Sequence, residues 1–386
     1  MDHASQVRII EELLAFEEQR TTDMAGQDHE YHNPVSVYTD PSRFEAEVDR
    51  IWYRTPLAVG HVGEFPRAGA FKSLSIGKVP LLVVRGKDDR IRAFVNVCRH
   101  RGTVLVEEPE GRANAFACPY HAWTYGQDGA LRHVPDDFGF PTVASAKDDY
   151  GLRELWCQEH AGFVYVQADG SAPERPLGDW LADVGTDLRD LGLDDFVCLD
   201  ASRAPHPVNW KLPFDIFLEN YHTKFTHRKT IYPVFLSNVA KFDHFGPHIR
   251  CVLPRREITE LRHIDRSKWD LVEQSTILYV VWPNTMIAVL PEHAAVWHVY
   301  PDGVGHCTLH FYALLARRLH ESEAEQETWK KSLKVVQRVK REDAERFLSI
   351  QRGLESGANP ALTFGRYEKA ISWFHQSIEE ALTRDH

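Results

Sequence analysis

Residues 91–126 read IRAFVNVCRHRGTVLVEEPEGRANAFACPYHAWTYG, and two short pieces of this stretch decide the reading of the chain. Cys98-Arg99-His100 is followed, seventeen residues later, by Cys118-Pro119-Tyr120-His121, the pattern C-x-H-x17-C-x2-H. Each piece sets one soft thiolate beside one imidazole, and the apolar runs next to them, IRAFVNV and NAFA, have the content of short strands. Two loops between strands, meeting tip to tip, would offer two sulfurs to one metal and two nitrogens to another.

That division of ligands is the one a Rieske [2Fe–2S] cluster uses, with cysteines on one iron and histidines on the other. A tetrahedral zinc site takes the same four residue types. Zinc fingers pair Cys with Cys and His with His, and the alternation found here disfavours them. A cluster by itself is also compatible with a pure electron carrier, so the remainder of the chain has to decide between carrier and enzyme.

The texture around the motif extends over a whole domain. From 55 to 167 the chain alternates short apolar runs (FKSLSI, VPLLVVRG, AGFVYVQA) with turn clusters such as GKDD and GQDG, which predicts a small all-β domain. Residues 1–54 read as helix, loop and helix, an arm packed on something larger, and GSAPERPLG at 170–178 reads as a linker. Beyond it, residues 168–386 carry helical text at 178–192 and 209–229, strands in STILYVVWPNTMIAVL, AAVWHVYP and CTLHFYALLA, and long helices over 321–355 and 365–383. The predicted class is α+β, the second large domain being an antiparallel sheet flanked by helices.

Composition narrows the partners. Lys and Arg number 45 against 56 Asp and Glu, and the resulting charge of -11 argues against nucleic acid or an anionic membrane as partner. There is no apolar run of about 18 residues and the charged amphipathic start lacks the order of a secretory signal, so a cytoplasmic protein is expected. Six cysteines in 386 residues form no disulfide framework. No GxGxxG follows a strand and no P-loop occurs, so the chain shows no nucleotide site of its own.

A second cluster of metal-binding residue types follows Asn209-Trp210-Lys211. Asp215, Glu219 and His222 recur at i, i+4 and i+7, which on one helix would set two carboxylates and an imidazole on one face. His227, five residues on, would lie about 140 degrees away around an ideal helix. The two histidines share a metal only if the helix bulges or ends between them. Two imidazoles and one carboxylate on a single iron leave open positions for oxygen.

NVCRHRG and ACPYHAWTYGQDG resemble, almost residue by residue, the cluster loops of the Rieske non-haem iron oxygenases, specifically the oxygenase (alpha) subunits of aromatic-ring-hydroxylating enzymes, and the likeness extends over nearly the whole chain. The resemblance implies a Rieske domain over 55–167 that holds the cluster on Cys98, His100, Cys118 and His121, with Trp123 and Tyr125 covering it. It implies a catalytic domain over 168–386 holding a mononuclear non-haem Fe(II) on His222, His227 and an acid from a late helix, here Asp343 with Glu342 as the alternative. Glu219 stands where ring-hydroxylating members carry Asp, the residue that bridges from the iron histidine to a cluster histidine of the next subunit. Some members acting on quaternary ammonium compounds share the Glu. Asp215 stands where many members have Asn.

The same resemblance implies a terminal oxygenase using O2 and electrons from NAD(P)H, delivered by a separate reductase and in some systems a ferredoxin. It also implies a homotrimer in which each cluster faces the neighbouring subunit's iron. Hydroxylation of an aromatic substrate, mono- or dioxygenation as in aromatic hydrocarbon catabolism, is the leading expectation. Phe214, Phe217 and Phe225 and the 277–300 strands are the candidate pocket, with core packing as the competing role of the three rings. A monooxygenase cleaving C–N or C–O bonds, such as a demethylase or a quaternary ammonium monooxygenase, is the second expectation. A non-enzymatic electron carrier or zinc-stapled module is the third.

Overall fold

The computed structural model describes residues 1–384, and all of their side chains except those at positions 318, 323 and 324. The chain divides into two compact units, Val48–Trp180 and a second made of Met1–Glu47 with Leu181–His386.

The smaller unit is built from strands, as the alternating apolar runs predict. Glu154–Leu155, Ile91–Val95, Val79–Arg85, Ala70–Ile76 and Glu110–Arg112 form a five-stranded antiparallel sheet in that order. Leu57–His61, Phe163–Val166 and Cys157–His160 form a second sheet, and Ala115–Ala117, Thr124–Gly126 and Leu131–His133 a third. Leu81, Leu82, Val83 and Val84 are all closed to solvent, so this strand is apolar on both faces. The turn after Ile76 needs Gly77: its φ is +53°, and a Cβ there would lie 2.7 Å from the Tyr53 hydroxyl. Phe71, Leu82, Phe94, Phe116, Trp123 and Tyr125 share one core with the two cysteines, Cys98 and Cys118.

Its boundaries lie at 48 and 180 instead of 55 and 167, for visible reasons. The Tyr53 hydroxyl accepts the Lys78 amide (3.0 Å). The Tyr53 carbonyl accepts from the Asp169 amide (3.0 Å), and the Asp169 carbonyl accepts from Arg153 (2.7 Å). Those bonds draw both flanking segments onto the β unit.

In the larger unit a seven-stranded antiparallel sheet runs in the order Phe196–His206, His306–Ala316, His293–Gly303, Thr285–Val289, Ser275–Val281, His248–Pro254, Lys241–Phe245. The Ser275–Val281 and Thr285–Val289 strands are buried at every position, so both faces of the sheet are covered. Helix His3–Glu18 buries Ile9, Ile10, Leu13 and Leu14, a stripe at helical spacing, and its start is capped by Asp2, which accepts from the Ser5 amide (2.7 Å). Helix Lys369–Thr383 buries Ala370, Ile371, Phe374 and Ile378 in the same manner. Helix Glu323–Glu355 is 33 residues long.

The segment 209–229 departs from the helical reading. Only Leu212–Phe217 and the single turn Thr223–Thr226 are helical, and Leu218 to His222 separate them. The entry to this segment is fixed by a buried ion pair: Lys211 donates to both oxygens of Glu47 (2.8 and 2.7 Å), and the Trp210 indole donates to the same carboxylate (2.8 Å). Glu47 and Lys211 are both fully buried. No helix among the described residues is long and apolar enough to cross a membrane.

Candidate metal centres

The two Cys–His loops of the β unit are closed by the same pair of hydrogen bonds. In the first, the Cys98 amide donates to the Thr103 carbonyl (2.8 Å) and the Gly102 amide to the Cys98 carbonyl (3.0 Å). In the second, the Cys118 amide donates to the Trp123 carbonyl (2.8 Å) and the Ala122 amide to the Cys118 carbonyl (2.9 Å). The residue four beyond each cysteine has positive φ, +76° at Gly102 and +54° at Ala122. Each turn carries its cysteine inward and its histidine outward. Cys98 and Cys118 are buried, His100 is half-buried and His121 exposed.

The donor set fits a two-iron cluster better than one zinc. Ligand atoms around one tetrahedral zinc lie within about 4 Å of one another, given bonds of about 2.0–2.3 Å. Among the described residues the one group of three or more His, Cys, Asp or Glu donors converging within 4.8 Å is elsewhere, so these four are spread more widely. Two buried sulfurs with two outer imidazoles, their rings 4.7 Å apart, suit an inner and an outer iron. His100 stacks on Trp123 at 4.8 Å with planes 8° apart, which fixes the ring. The Tyr125 hydroxyl accepts the Arg99 amide (2.9 Å), leaving its own hydrogen for Cys98 Sγ at 3.3 Å. Burial and the Cys98 sulfur push the Tyr125 phenol above its usual range.

The converging group is His222, His227 and Asp343. His222 stands at the N-terminal edge of the single turn Thr223–Thr226 and His227 at its C-terminal edge, so the helix ends on both sides and the five-residue spacing no longer separates them. Each ring has its far nitrogen held by an acid. His222 Nδ1 bonds Glu219 Oε1, and the His222 amide donates to Glu219 Oε2 (3.1 Å). His227 Nδ1 bonds Glu342 Oε2 at 2.8 Å, and Glu342 also accepts from Thr230 (2.7 Å) and Arg338 (3.2 Å).

Those outer bonds assign the tautomers, placing each proton on Nδ1. The two Nε2 atoms then face each other at 3.2 Å with lone pairs, an arrangement that repels unless a cation lies between them. Asp343 Oδ1 sits 2.8 Å from His227 Nε2 and 3.8 Å from His222 Nε2, buried and without a hydrogen-bond partner. Two imidazole lone pairs and a carboxylate suit a divalent iron with open positions, and carboxylates behind the imidazoles raise their basicity as ligands. Burial lowers the His222 pKa, but the Glu219 charge and hydrogen bond, with Asp343, outweigh it and raise it overall. Asp343 shares the Nε2 side, whereas its neighbour Glu342 is committed to the opposite nitrogen.

Other expected residues fall outside this group. Asp215 is buried, accepting from the Tyr38 hydroxyl (2.7 Å) and bonded to His375 Nε2 (2.8 Å). The helix stops at Phe217, so the i, i+4, i+7 phase does not carry through to Glu219 and His222, and a catalytic part for Asp215 is withdrawn. Sequence reasoning missed Glu368, whose carboxyl is raised to about 7 by burial and by the nearby charges of Glu219 and Asp215. Nothing in its local sequence distinguishes it from any helix-entry glutamate.

The triad opens on a cavity of about 480 Å³ whose wall includes Glu219, Phe217, Trp297, Phe235 and Phe347. Of the three phenylalanines expected there, only Phe217 takes part. Phe214 is fully buried and stacked on Phe374 at 4.7 Å, and Phe225 is 68% exposed, on the outer side of the ligand turn. The sheet contributes from the 277–300 strands through Leu278, Met286, Ala288 and Trp297.

Comparison with known proteins finds both domain types. The description "Rieske [2Fe-2S] domain" matches residues 55–144, and "Ring hydroxylating alpha subunit (catalytic domain)" matches 193–384. Choline monooxygenase of Atriplex hortensis is 26% identical over 360 residues, covering 90% of this chain and 77% of that protein. The oxygenase subunit of glycine betaine monooxygenase from Pseudomonas aeruginosa (strain UCBPP-PA14) is 30% identical over 224 residues, 58% of this chain, so that the matched region spans half of that relative. Among solved structures, a quaternary ammonium Rieske monooxygenase shares the fold, with a TM-score of 0.78 at 24% identity over 94% of this chain and 98% of that one. The chain is an oxidoreductase that belongs to the Rieske oxygenase alpha subunits, with a [2Fe–2S] domain and a mononuclear-iron catalytic domain.

Proposed function

We propose that this terminal oxygenase hydroxylates a carbon attached to a methylated or quaternary nitrogen in a small substrate, after which the C–N bond breaks. The observation that carries the reading is Trp297. Within residues 293–301 it alone is only partly buried, and it presents its indole to the triad's cavity beside Phe217, with ring centroids 5.9 Å apart. Aromatic faces attract an alkylated ammonium that no hydrogen bond can hold. Glu219 in place of Asp and the names of the relatives support the same substrate class.

Iron bound by His222, His227 and Asp343 would supply oxygen activation, with electrons from the cluster. The chain's own part is orientation. Glu219 and Glu342 hold the two imidazoles by their far nitrogens, Phe217 and Trp297 position the alkylated head, and Leu278 and Phe347 help to keep water out. One C–H bond, O2, two electrons and two protons become C–OH and water, and the resulting carbinolamine releases an aldehyde. The electrons come from NAD(P)H through a separate reductase. Three copies arranged head to tail bring each exposed His121 toward a neighbour's Glu219, a ring-closing interface.

A flat aromatic ring is the second reading, favoured by the apolar wall of Ile216, Leu278, Leu309 and Phe235. Substrate-dependent O2 uptake under 18O2 separates the two. Oxidation beside the nitrogen predicts aldehyde release from a methylated amine; a ring diol carrying two labelled atoms, with no aldehyde from any amine, would replace that chemistry by ring dioxygenation.

A further inference from the structure

At the end of the sheet where Pro254 pairs with Ser275, the wall of the same cavity changes character. Arg255 follows directly, its amide donating to the Gln274 carbonyl (2.8 Å), and its side chain lines the cavity. Its Nε is buried with no hydrogen-bond partner, and among the described residues no carboxylate pairs with its guanidinium. Thr276, one strand across and opposite Leu253, also lines the cavity. It is 7% exposed, and its hydroxyl is likewise buried without a partner. Glu292, another acid on the cavity wall, accepts from Ser332 (3.4 Å).

A buried guanidinium donor and a buried hydroxyl left unsatisfied are costly, because each has lost water and gained nothing in return. Both belong to a wall whose other members are mostly apolar. An acceptor arriving with the substrate would meet that demand once the side chains turn toward it, and against a guanidinium the best acceptor is an anion with two oxygens.

We propose that Arg255 and Thr276 form an anion subsite, so that the substrate carries a carboxylate or sulfonate at the end opposite the carbon that is oxidised. Resting on the reading of the triad's cavity as the substrate site, this narrows the class. A zwitterion with an alkylated nitrogen and a carboxylate fits; an amino alcohol with the same cationic head leaves both donors unpaired. An aromatic acid or sulfonate would use the subsite equally.

The test is equilibrium binding to the iron-replete holoenzyme, independent of turnover. Two pairs of probes are titrated: glycine betaine against choline, which share a trimethylammonium head, and benzoate against benzyl alcohol. In the wild-type protein the carboxylate of at least one pair binds tighter than its neutral-tailed partner. Arg255→Gln weakens that carboxylate by about tenfold to a hundredfold, the range for a hydrogen bond to a charged group, and leaves the alcohol unchanged. Thr276→Val weakens it by a smaller factor in the same direction. Arg255→Lys restores part of the loss, and an unaltered far-UV circular dichroism spectrum with wild-type iron content verifies folding in every variant.

Carboxylate preference confined to the benzoate pair would keep the subsite and discard the methylated-nitrogen reading. An unchanged carboxylate-to-alcohol ratio in Arg255→Gln, or no carboxylate binding that depends on Arg255, would overturn the subsite itself.

Discussion

The cluster loops and the His222/His227/Asp343 triad obtain their rigidity from different sources. Each cluster loop closes on itself within six residues, by two backbone hydrogen bonds and one residue of positive φ, and its cysteine is part of the β-unit core. The triad joins a one-turn helix to a long helix more than a hundred residues away, and side-chain carboxylates hold its rings. Backbone closure makes the first site local and tolerant of change elsewhere in the chain. Dependence on distant side chains makes the second sensitive to any residue that fixes the 209–227 segment, and it leaves that region able to present ligands to a cavity.

Breaking the buried ion pair should expose that difference most. Glu47→Ala strands a fully buried Lys211 beside the entry to the ligand segment and should cost about 3–5 kcal/mol. In chemical denaturation, tryptophan fluorescence should shift to lower denaturant while the visible bands of the cluster bleach where they do in the wild type.

The larger unit should also carry more of the acid sensitivity. His293 is buried with neither ring nitrogen partnered, and burial lowers its pKa from 6.5 to about 4. Unfolding restores the ordinary value, so between pH 6.5 and 4 the unfolded chain binds the extra proton. Stability from this group is complete above about pH 6.5 and declines as the pH falls through about 4, by on the order of 3 kcal/mol in all. His293→Gln should flatten that limb in a series of melting temperatures against pH, and an unchanged slope would dismiss the residue as its source.

Glu342→Gln reaches the triad through His227 alone. Loss of the carboxylate behind the imidazole should weaken metal binding by about 10- to 100-fold, read by iron retention against a chelator, with sulfide content unchanged. Smallest of all are the loop substitutions. Gly102→Ala should cost about 1–2 kcal/mol of β-unit stability, although a Cβ there meets nothing within 4 Å, because the cost is conformational. Ala122→Gly, at the matching position of the other loop, should gain up to about 1 kcal/mol in the same denaturation assay.

What is legible in the sequence follows the same contrast. Cys98, His100, Cys118 and His121 announce themselves because their geometry is made by neighbours in the chain. The histidine pair is visible too, but helical phase extrapolated from Asp215 through His222 fails, since the helix stops after Phe217 and turns Asp215 toward Tyr38 and His375. Of the rings expected in the pocket, Phe214 is core and Phe225 surface. Glu342 and Asp343 are adjacent in sequence, and only the placement of the long helix against His227 shows which side of the ring each one meets. Arg255 has no local signal at all. Its interest comes from lacking a partner, a property of packing that no motif encodes.

Two separable metal centres in one chain are tested most directly by iron and acid-labile sulfide analysis of purified His222→Ala, with EPR after dithionite reduction. The wild type should hold about three irons and two sulfides per chain. The variant should keep about two irons, both sulfides and an unaltered cluster signal while losing all turnover. Loss of the cluster signal together with the third iron, or retention of all three irons, would contradict the separation.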